Sequence, residues 1–197
     1  MWKAKRMARD LGSRDGQVHE QAQAVLDFWL REVPPGKRFA RDAAIDAECE
    51  RRFKTLRDEL AATGAAGWWD DPRDLLAAVI VLDQFSRNIY RGAAEAFAAD
   101  PIALALAEKA VTAGWDRAMD SVERSFLYLP FQHAENAVDQ DRSLALYEQL
   151  GEAEALAFAR THREVIARFG RFPGRNVALG RQSTPEEAAF LSEPQPF

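Results

Sequence analysis

Cysteine is nearly absent from this sequence, in which Cys49 is the one cysteine among 197 residues. A single cysteine cannot form a disulfide within the chain, and the basic N-terminus lacks the apolar run of a secretory signal peptide. Both observations favour a reducing compartment, so we expect a cytoplasmic protein. No stretch approaches the roughly 18 consecutive apolar residues of a membrane span, which predicts no membrane partner.

An excess of positive charge is missing as well. The formal net charge is -5, whereas a nucleic-acid-binding protein usually carries a basic surface, so we expect no nucleic-acid partner. The sequence also lacks glycine-rich nucleotide loops, the GxSxG nucleophile turn and zinc-knuckle spacing. His133 and Glu135 are two residues apart, whereas two metal ligands on one helix need a spacing of three or four. We therefore predict neither a cofactor nor a metal site.

Helical periodicity dominates what the sequence does contain. Apolar residues make up 47% of the chain and charged residues 29%, which is typical of a globular protein. The spacing of the apolar residues predicts an all-α fold of about eight helices. Because short loops make neighbouring helices antiparallel, we expect stacked antiparallel hairpins. A single helical domain is predicted over 17–197, after an N-terminal extension, 1–16, that is disordered or frayed.

Several helix boundaries can be predicted from capping residues, among them an N-cap at Asp42 and a capping box that begins at Thr184. Asp71 and Asp100 are each followed by proline, a pair that suits the N-cap and first turn of a helix. Asp120 begins a capping box for a further helix, which the apolar pattern extends to Val138. Pro130 lies inside this pattern and is expected to kink or divide the helix.

A first polar cluster, LDQFSRNIYRG, begins at Leu82 and follows an apolar run directly. Asp83 is therefore expected to be buried, and Arg87, one helical turn later, is placed to pair with it. Asn88 lies on the same helix. One interpretation is a structural ion pair between helices, and the other is a wall of a polar pocket.

Two further clusters follow. In FQHAEN, His133 is either a general acid–base or a hydrogen-bonded structural histidine. Six arginines but only one acidic residue lie between Arg160 and Arg181. Within this stretch Arg171, Arg175 and Asn176 surround a Phe-Pro-Gly loop, and arginine suits carboxylate and phosphate. An anion pocket is one interpretation; helix capping and pairing with core carboxylates is the alternative.

These clusters also carry a resemblance to a known family. VLDFWL at residue 25, LDQFSRNIYRG at 82, AFAADPIAL at 96, FLYLPFQHAEN at 126 and RFGRFPGRNVALGRQSTPEE at 168 occur in this order. Together they resemble the bacterial domain-of-unknown-function family nine-two-four over residues 18–192. The resemblance implies a tetratricopeptide-repeat-like stack of helical hairpins and implies no activity. The chain departs from the family at Gly174, where relatives often have histidine.

Three functional hypotheses remain open at this point. The first is a binding module whose concave polar groove takes an anionic ligand, either a phosphorylated metabolite or an acidic peptide. The second is a hydrolase or lyase that acts on an anionic substrate, with His133 as general base tuned by Glu135 or Asp83. The third is a buried ion-pair network, in which case function would rest on a protein partner. The predicted ligand-binding residues are Asp83, Arg87, Asn88, His133, Asn136, Arg171, Arg175 and Asn176.

Overall fold

The computed structural model describes residues 16–193, and this part of the chain contains eight helices and no strand. The all-α prediction is confirmed, while tetratricopeptide-like stacking remains a prediction. The predicted N-terminal extension lies, except for its last residue, outside the described residues. No helix of the described part is long and apolar enough to cross a membrane. The helices are α1 (16–27, continued by a π turn, Phe28–Glu32), α2 (Ala43–Thr63), α3 (Pro72–Ile80, a π turn Val81–Phe85, then Ser86–Ile89), α4 (Asp100–Ala113), α5 (Ser121–His133), α6 (Ala137–Leu150), α7 (Ala153–Phe169) and α8 (Pro185–Leu191).

Capping residues fix most of these boundaries. The carboxylates of Asp42 and Asp71 accept hydrogen bonds from the first free amides of α2 and α3. Capping boxes built on Asp120 and Thr184 begin α5 and α8. Each satisfies backbone donors that a helix start leaves unpaired. The predictions at these positions are confirmed.

Two boundary predictions were wrong. Asp100 does not cap α4, since the helix begins at Asp100 itself and its N-cap, Ala99, makes no side-chain cap. Its carboxylate bonds to two guanidinium groups instead, and charge-assisted bonds are stronger than a bond to a neutral amide. The helix predicted to reach Val138 passes through Pro130 but ends at His133, and a new helix begins with Asn136 as its N-cap.

Helix α3 lies at the centre of the core. Every residue from 75 to 82 is fully buried, as expected for a helix that is apolar all round. Helices α5 and α6 run antiparallel, as two hydrogen bonds between them show: Tyr147 donates to the Ser125 carbonyl, and Gln140 donates to the Gln132 carbonyl. The polar residues at the end of α3 lie in the interior and face the end of α5.

Candidate functional site

A cleft of about 450 Å³ opens between the start of α4, the end of α5 and the loop that follows α7. One part of its wall is apolar and the other is polar, with both signs of charge. A concave site with a few convergent polar groups is where a small molecule most often binds. The lining residues that matter are the apolar Phe97, Pro101, Leu104, Pro130 and Leu179, and the polar Asp100, His133, Glu135, Asn136, Arg175 and Arg181.

The deepest polar contact of this site joins Asp83 to His133. Asp83 Oδ1 and His133 Nδ1 are 2.7 Å apart, and only 1% of the aspartate side chain is exposed. Burial alone would raise the pKa of Asp83, but the charge of Arg87 and the contact with His133, which includes a hydrogen bond, outweigh it and hold that pKa well below its usual range. Asp83 is therefore ionised and can only accept hydrogen bonds, so the proton between the two groups belongs to Nδ1.

His133 is consequently a neutral imidazole with a defined tautomer. Burial lowers its pKa, and the nearby negative charge of Asp83 only partly opposes this effect. The side chain is 14% exposed and belongs to the cleft wall. Within the described residues no hydrogen bond engages Nε2. The second ring nitrogen thus has an unshared electron pair and no protein partner, which is the state required of a general base.

A chain of alternating charges continues from this pair. Arg87 lies 3.2 Å from Asp83 Oδ1 and binds both carboxylate oxygens of Asp100, at 2.9 and 3.0 Å. Arg175 then donates to the same Asp100 over 3.2 Å. Four side chains from α3, the start of α4 and the loop after α7 thus form a row, which we call the Asp83 row: Asp83, Arg87, Asp100 and Arg175. The row ends at Arg175, on the cleft wall.

Arg175 has donors to spare. Its guanidinium lies between the rings of Phe97 and Phe172, 4.7 Å from each centroid. Apart from Asp100, the hydrogen-bond acceptor it reaches in the described chain is the His133 carbonyl, at 2.9 Å, although a guanidinium offers five N–H donors. Burial, followed by the repulsion of Arg87, lowers the pKa of Arg175 to about 10. Arg175 therefore stays positively charged at neutral pH, in surroundings that stabilise this charge less well than water does.

Glu135 lies on the same wall but has a different role. It accepts hydrogen bonds from Arg181, at 3.0 Å, and from the backbone N–H of Phe172, at 2.9 Å. Burial would raise its pKa, and these two donors lower it further than burial raises it. Glu135 is thus a fixed negative charge paired with Arg181, and the carboxylate that contacts His133 is Asp83. Asn136 caps α6 by accepting from the Asp139 amide, so its side chain is committed to the helix start.

Of the eight predicted ligand-binding residues, three line the cleft: His133, Asn136 and Arg175. Asp83 and Arg87 do not line it but contact residues that do, and the remaining three lie elsewhere. Asn88 donates to Asp46 at 2.8 Å, away from the Asp83 row. Arg171 and Asn176 instead meet at Glu187, a buried carboxylate on α8. The guanidinium of Arg171, followed by the Thr184 amide, lowers the pKa of Glu187 to about 2. The structure therefore brings together Asp83, Arg87, His133, Asn136 and Arg175, together with Glu135, and separates the other three.

Asp100 and Phe97 belong to the site but were not predicted. Their only signal was their place in the segment AFAADPIAL, one of those that carried the family resemblance. Asp100 followed by proline indicates a helix cap, and no local pattern distinguishes a capping aspartate from one that reaches two distant arginines.

Comparison with known proteins now places the chain in a family. The family model described as "Bacterial protein of unknown function (DUF924)" matches residues 25–195. The chain belongs to this family. It is also similar to the solved structure of a protein of unknown function from Agrobacterium tumefaciens, with a TM-score of 0.82 and 40% identity. That likeness covers 88% of this chain and 97% of the other. No curated protein matches the chain.

One more group of side chains in this DUF924 protein has the composition of a metal site. Ligand atoms of His19, Asp71 and Asp74 lie within 4.8 Å of one another. These atoms already have partners, because His19 Nδ1 bonds Asp74 at 2.9 Å and Asp71 caps α3. The cluster thus ties α1 to the start of α3 and lies outside the cleft lining.

Proposed function

We propose that this protein is an enzyme in which His133 acts as a general base on a small anionic substrate held in the cleft. The observation that carries the proposal is the Asp83–His133 pair, 2.7 Å apart, with the imidazole on the wall of a cleft of about 450 Å³. A buried carboxylate that holds Nδ1–H fixes the ring orientation and stabilises the imidazolium that forms during proton transfer. Arg175, on the same wall, supplies the positive charge for the anionic group.

The chemistry that suits this arrangement is hydrolysis or elimination. In hydrolysis, Nε2 accepts a proton from water while the water oxygen bonds to the electrophilic centre. The bond to the leaving group then breaks, and the imidazolium returns the proton to that group. In elimination, Nε2 takes the proton from a carbon atom instead, the electron pair of that C–H bond forms the new double bond, and the leaving group departs with the electron pair of its own bond. Both reactions need a base that is neutral near pH 7, and burial keeps His133 neutral.

The contacts support this function over simple binding. Arg87, Arg175 and Arg181 each form an ion pair with a carboxylate, and Arg175 keeps N–H donors for an anionic group; a module that only binds anions would need this arginine but not the oriented imidazole on the same wall. A purely structural network, in turn, does not account for a histidine with an unengaged Nε2 at a cleft. We place the enzyme in the cytoplasm, because Cys49 is a free, buried thiol and free thiols suit a reducing compartment.

The test is turnover by wild-type protein and two histidine variants. Each protein is incubated with a library of esters, amides, carboxylated and phosphorylated metabolites, and consumption is followed by mass spectrometry. His133→Asn should lose about 10²–10⁴-fold in rate, the usual contribution of a general base. His19→Gln is the matched control, because His19 is 58% exposed and lies outside the cleft, and it should retain the wild-type rate.

Two results would contradict the proposal. One is a folded His133→Asn variant that turns a substrate over at the wild-type rate. The other is a library in which several compounds raise the thermal stability of the wild type by binding but no compound is consumed; binding without any turnover across the whole library is the signature of a binding module.

A further inference from the structure

We infer that the cleft recognises a carboxylate of single negative charge attached to an apolar chain or ring. This inference rests on the proposed function, because it names the substrate class of the same site. It is drawn from the match between one arginine with unused donors and an apolar wall beside it.

The single charge follows from the balance of charges on the wall. Asp83 and Asp100 balance Arg87 and Arg175, and Glu135 balances Arg181, so these side chains sum to zero before substrate enters. An incoming anion must therefore be held by donors that these ion pairs leave unused, such as those of Arg175. Asp100 and Glu135 line the same cleft and repel negative charge. The cost of removing an anion from water rises with the square of its charge, whereas the attraction of an arginine rises only in proportion, so a carboxylate is favoured over a doubly charged phosphate.

The geometry of Arg175 also fits a planar ligand. The Arg175 guanidinium lies over the rings of Phe97 and Phe172, 4.7 Å from each centroid, and donates to Asp100 and the His133 carbonyl, so these four contacts fix its position. A fixed guanidinium plane matches the two coplanar oxygens of a carboxylate. The arginine is thus arranged for a flat, two-oxygen acceptor before any ligand arrives.

The apolar part of the ligand follows from the rest of the wall. Phe97, Pro101, Leu104, Pro130 and Leu179 line the cleft beside the charged groups. Leu104 and Leu179 are only half-buried, so they still present apolar surface that a ligand can cover. A volume of about 450 Å³ lies within the roughly 300–1,000 Å³ of small-molecule sites. A chain or ring attached to the carboxylate would cover this surface.

Calorimetric titration with straight-chain acids tests the inference. Butanoate, hexanoate and octanoate are titrated into the wild-type protein at constant pH and ionic strength, alongside hexanamide and hexyl phosphate. Affinity should rise about two- to fourfold for each added methylene, the usual effect of burying one. Hexanoate should bind more tightly than uncharged hexanamide and more tightly than hexyl phosphate. An affinity that does not rise with chain length, or tighter binding of hexyl phosphate, overturns the inference.

Two neighbouring positions provide a matched pair of variants. Leu179→Ser should reduce the gain per methylene while leaving butanoate binding in place. Val177→Ser changes a residue of the same loop that is 89% exposed and outside the cleft lining, and it should behave as wild type. Equal effects of the two substitutions would contradict the assignment of the apolar wall.

A third variant separates this inference from the proposed function. His133→Asn should retain the full dependence of affinity on chain length, because the histidine acts on the proton and not on the carboxylate. If the wild type binds the acids as expected but catalyses nothing, the general-base proposal fails and the ligand class stands. If catalysis depends on His133 while chain length has no effect on affinity, the ligand class fails and the enzyme proposal stands.

Discussion

Replacing Asp83 by asparagine is the most informative change to the fold and the site together. The side chains have nearly the same shape, so the substitution removes charge without creating a cavity. Asp83 is 1% exposed and contacts Arg87 at 3.2 Å and His133 at 2.7 Å. Asparagine leaves Arg87 with Asp100 as its one carboxylate partner among residues 16–193, and it also removes the negative charge that opposes the lowering of the His133 pKa.

The expected loss is large because this ion pair is buried. Breaking a buried pair by removing one partner costs about 3–5 kcal/mol. A chain of this size shifts its melting temperature by about 2–4 °C per kcal/mol, so the loss corresponds to roughly 6–20 °C. Native proteins have free energies of unfolding of about 5–15 kcal/mol. The variant should therefore remain folded at 25 °C, but only narrowly if the free energy of unfolding of the wild type lies at the low end of this range.

Urea unfolding followed by tryptophan fluorescence provides the measurement, since Trp29 packs against Phe85 in the core, with ring centroids 5.2 Å apart. Asp46→Asn is the matched control. Asp46 also bonds an arginine, Arg91, but their side chains are 23% and 36% exposed, and exposed ion pairs contribute about 0–1 kcal/mol. If Asp83→Asn loses no more stability than Asp46→Asn, the description of Asp83 as a buried, ionised member of the network is refuted.

Three further results are expected. In nitrogen NMR, His133 should carry its proton on Nδ1 and titrate below its ordinary pKa of 6.5, and a midpoint above that value would contradict its burial beside Asp83. Glu187, with its pKa lowered from 4.5 to about 2, should contribute its full stability above pH 4.5 and lose it as the pH falls toward 2. Glu187→Gln should therefore be less stable than wild type at neutral pH and lose less stability across that window, and an identical acid profile would be the refuting result. Burial raises the pKa of the Cys49 thiol to about 12, so a disulfide reagent should react with it only on unfolding, and rapid labelling of native protein would contradict this.

The fold was predictable from the sequence wherever a local signal decides. The caps at Asp42 and Asp71 act within one helical turn, and the uninterrupted apolar run of α3 requires burial on every side. Burial of Asp83 and its pairing with Arg87 followed from the same local reasoning, because the two lie one turn apart on that helix.

The remainder of the site depends on contacts between distant parts of the chain. Asp100 and Arg175 are 75 residues apart, and no spacing rule relates them. The end of α5 at His133 also depends on a neighbouring element. Gln140, on the next helix, donates hydrogen bonds to the carbonyls of Gln132 and Ala134, and these bonds stabilise the turn between the two helices. The apolar periodicity predicted a longer helix because it reflects the spacing of apolar residues and contains no information about hydrogen bonds between one helix and the next.

The π turn Val81–Phe85 makes the conformation of α3 as important as its composition. A π turn bonds each amide to the carbonyl five residues earlier, so it contains one residue more than an α-helical turn. If the same residues were wound as a regular α-helix, everything after the turn would be rotated by about 100° around the helix axis, the step of one residue. Arg87 would then point away from Asp100, although every charged amino acid of the row would still be present. The contact between α3 and the start of α4 therefore depends on a single widened turn of the backbone.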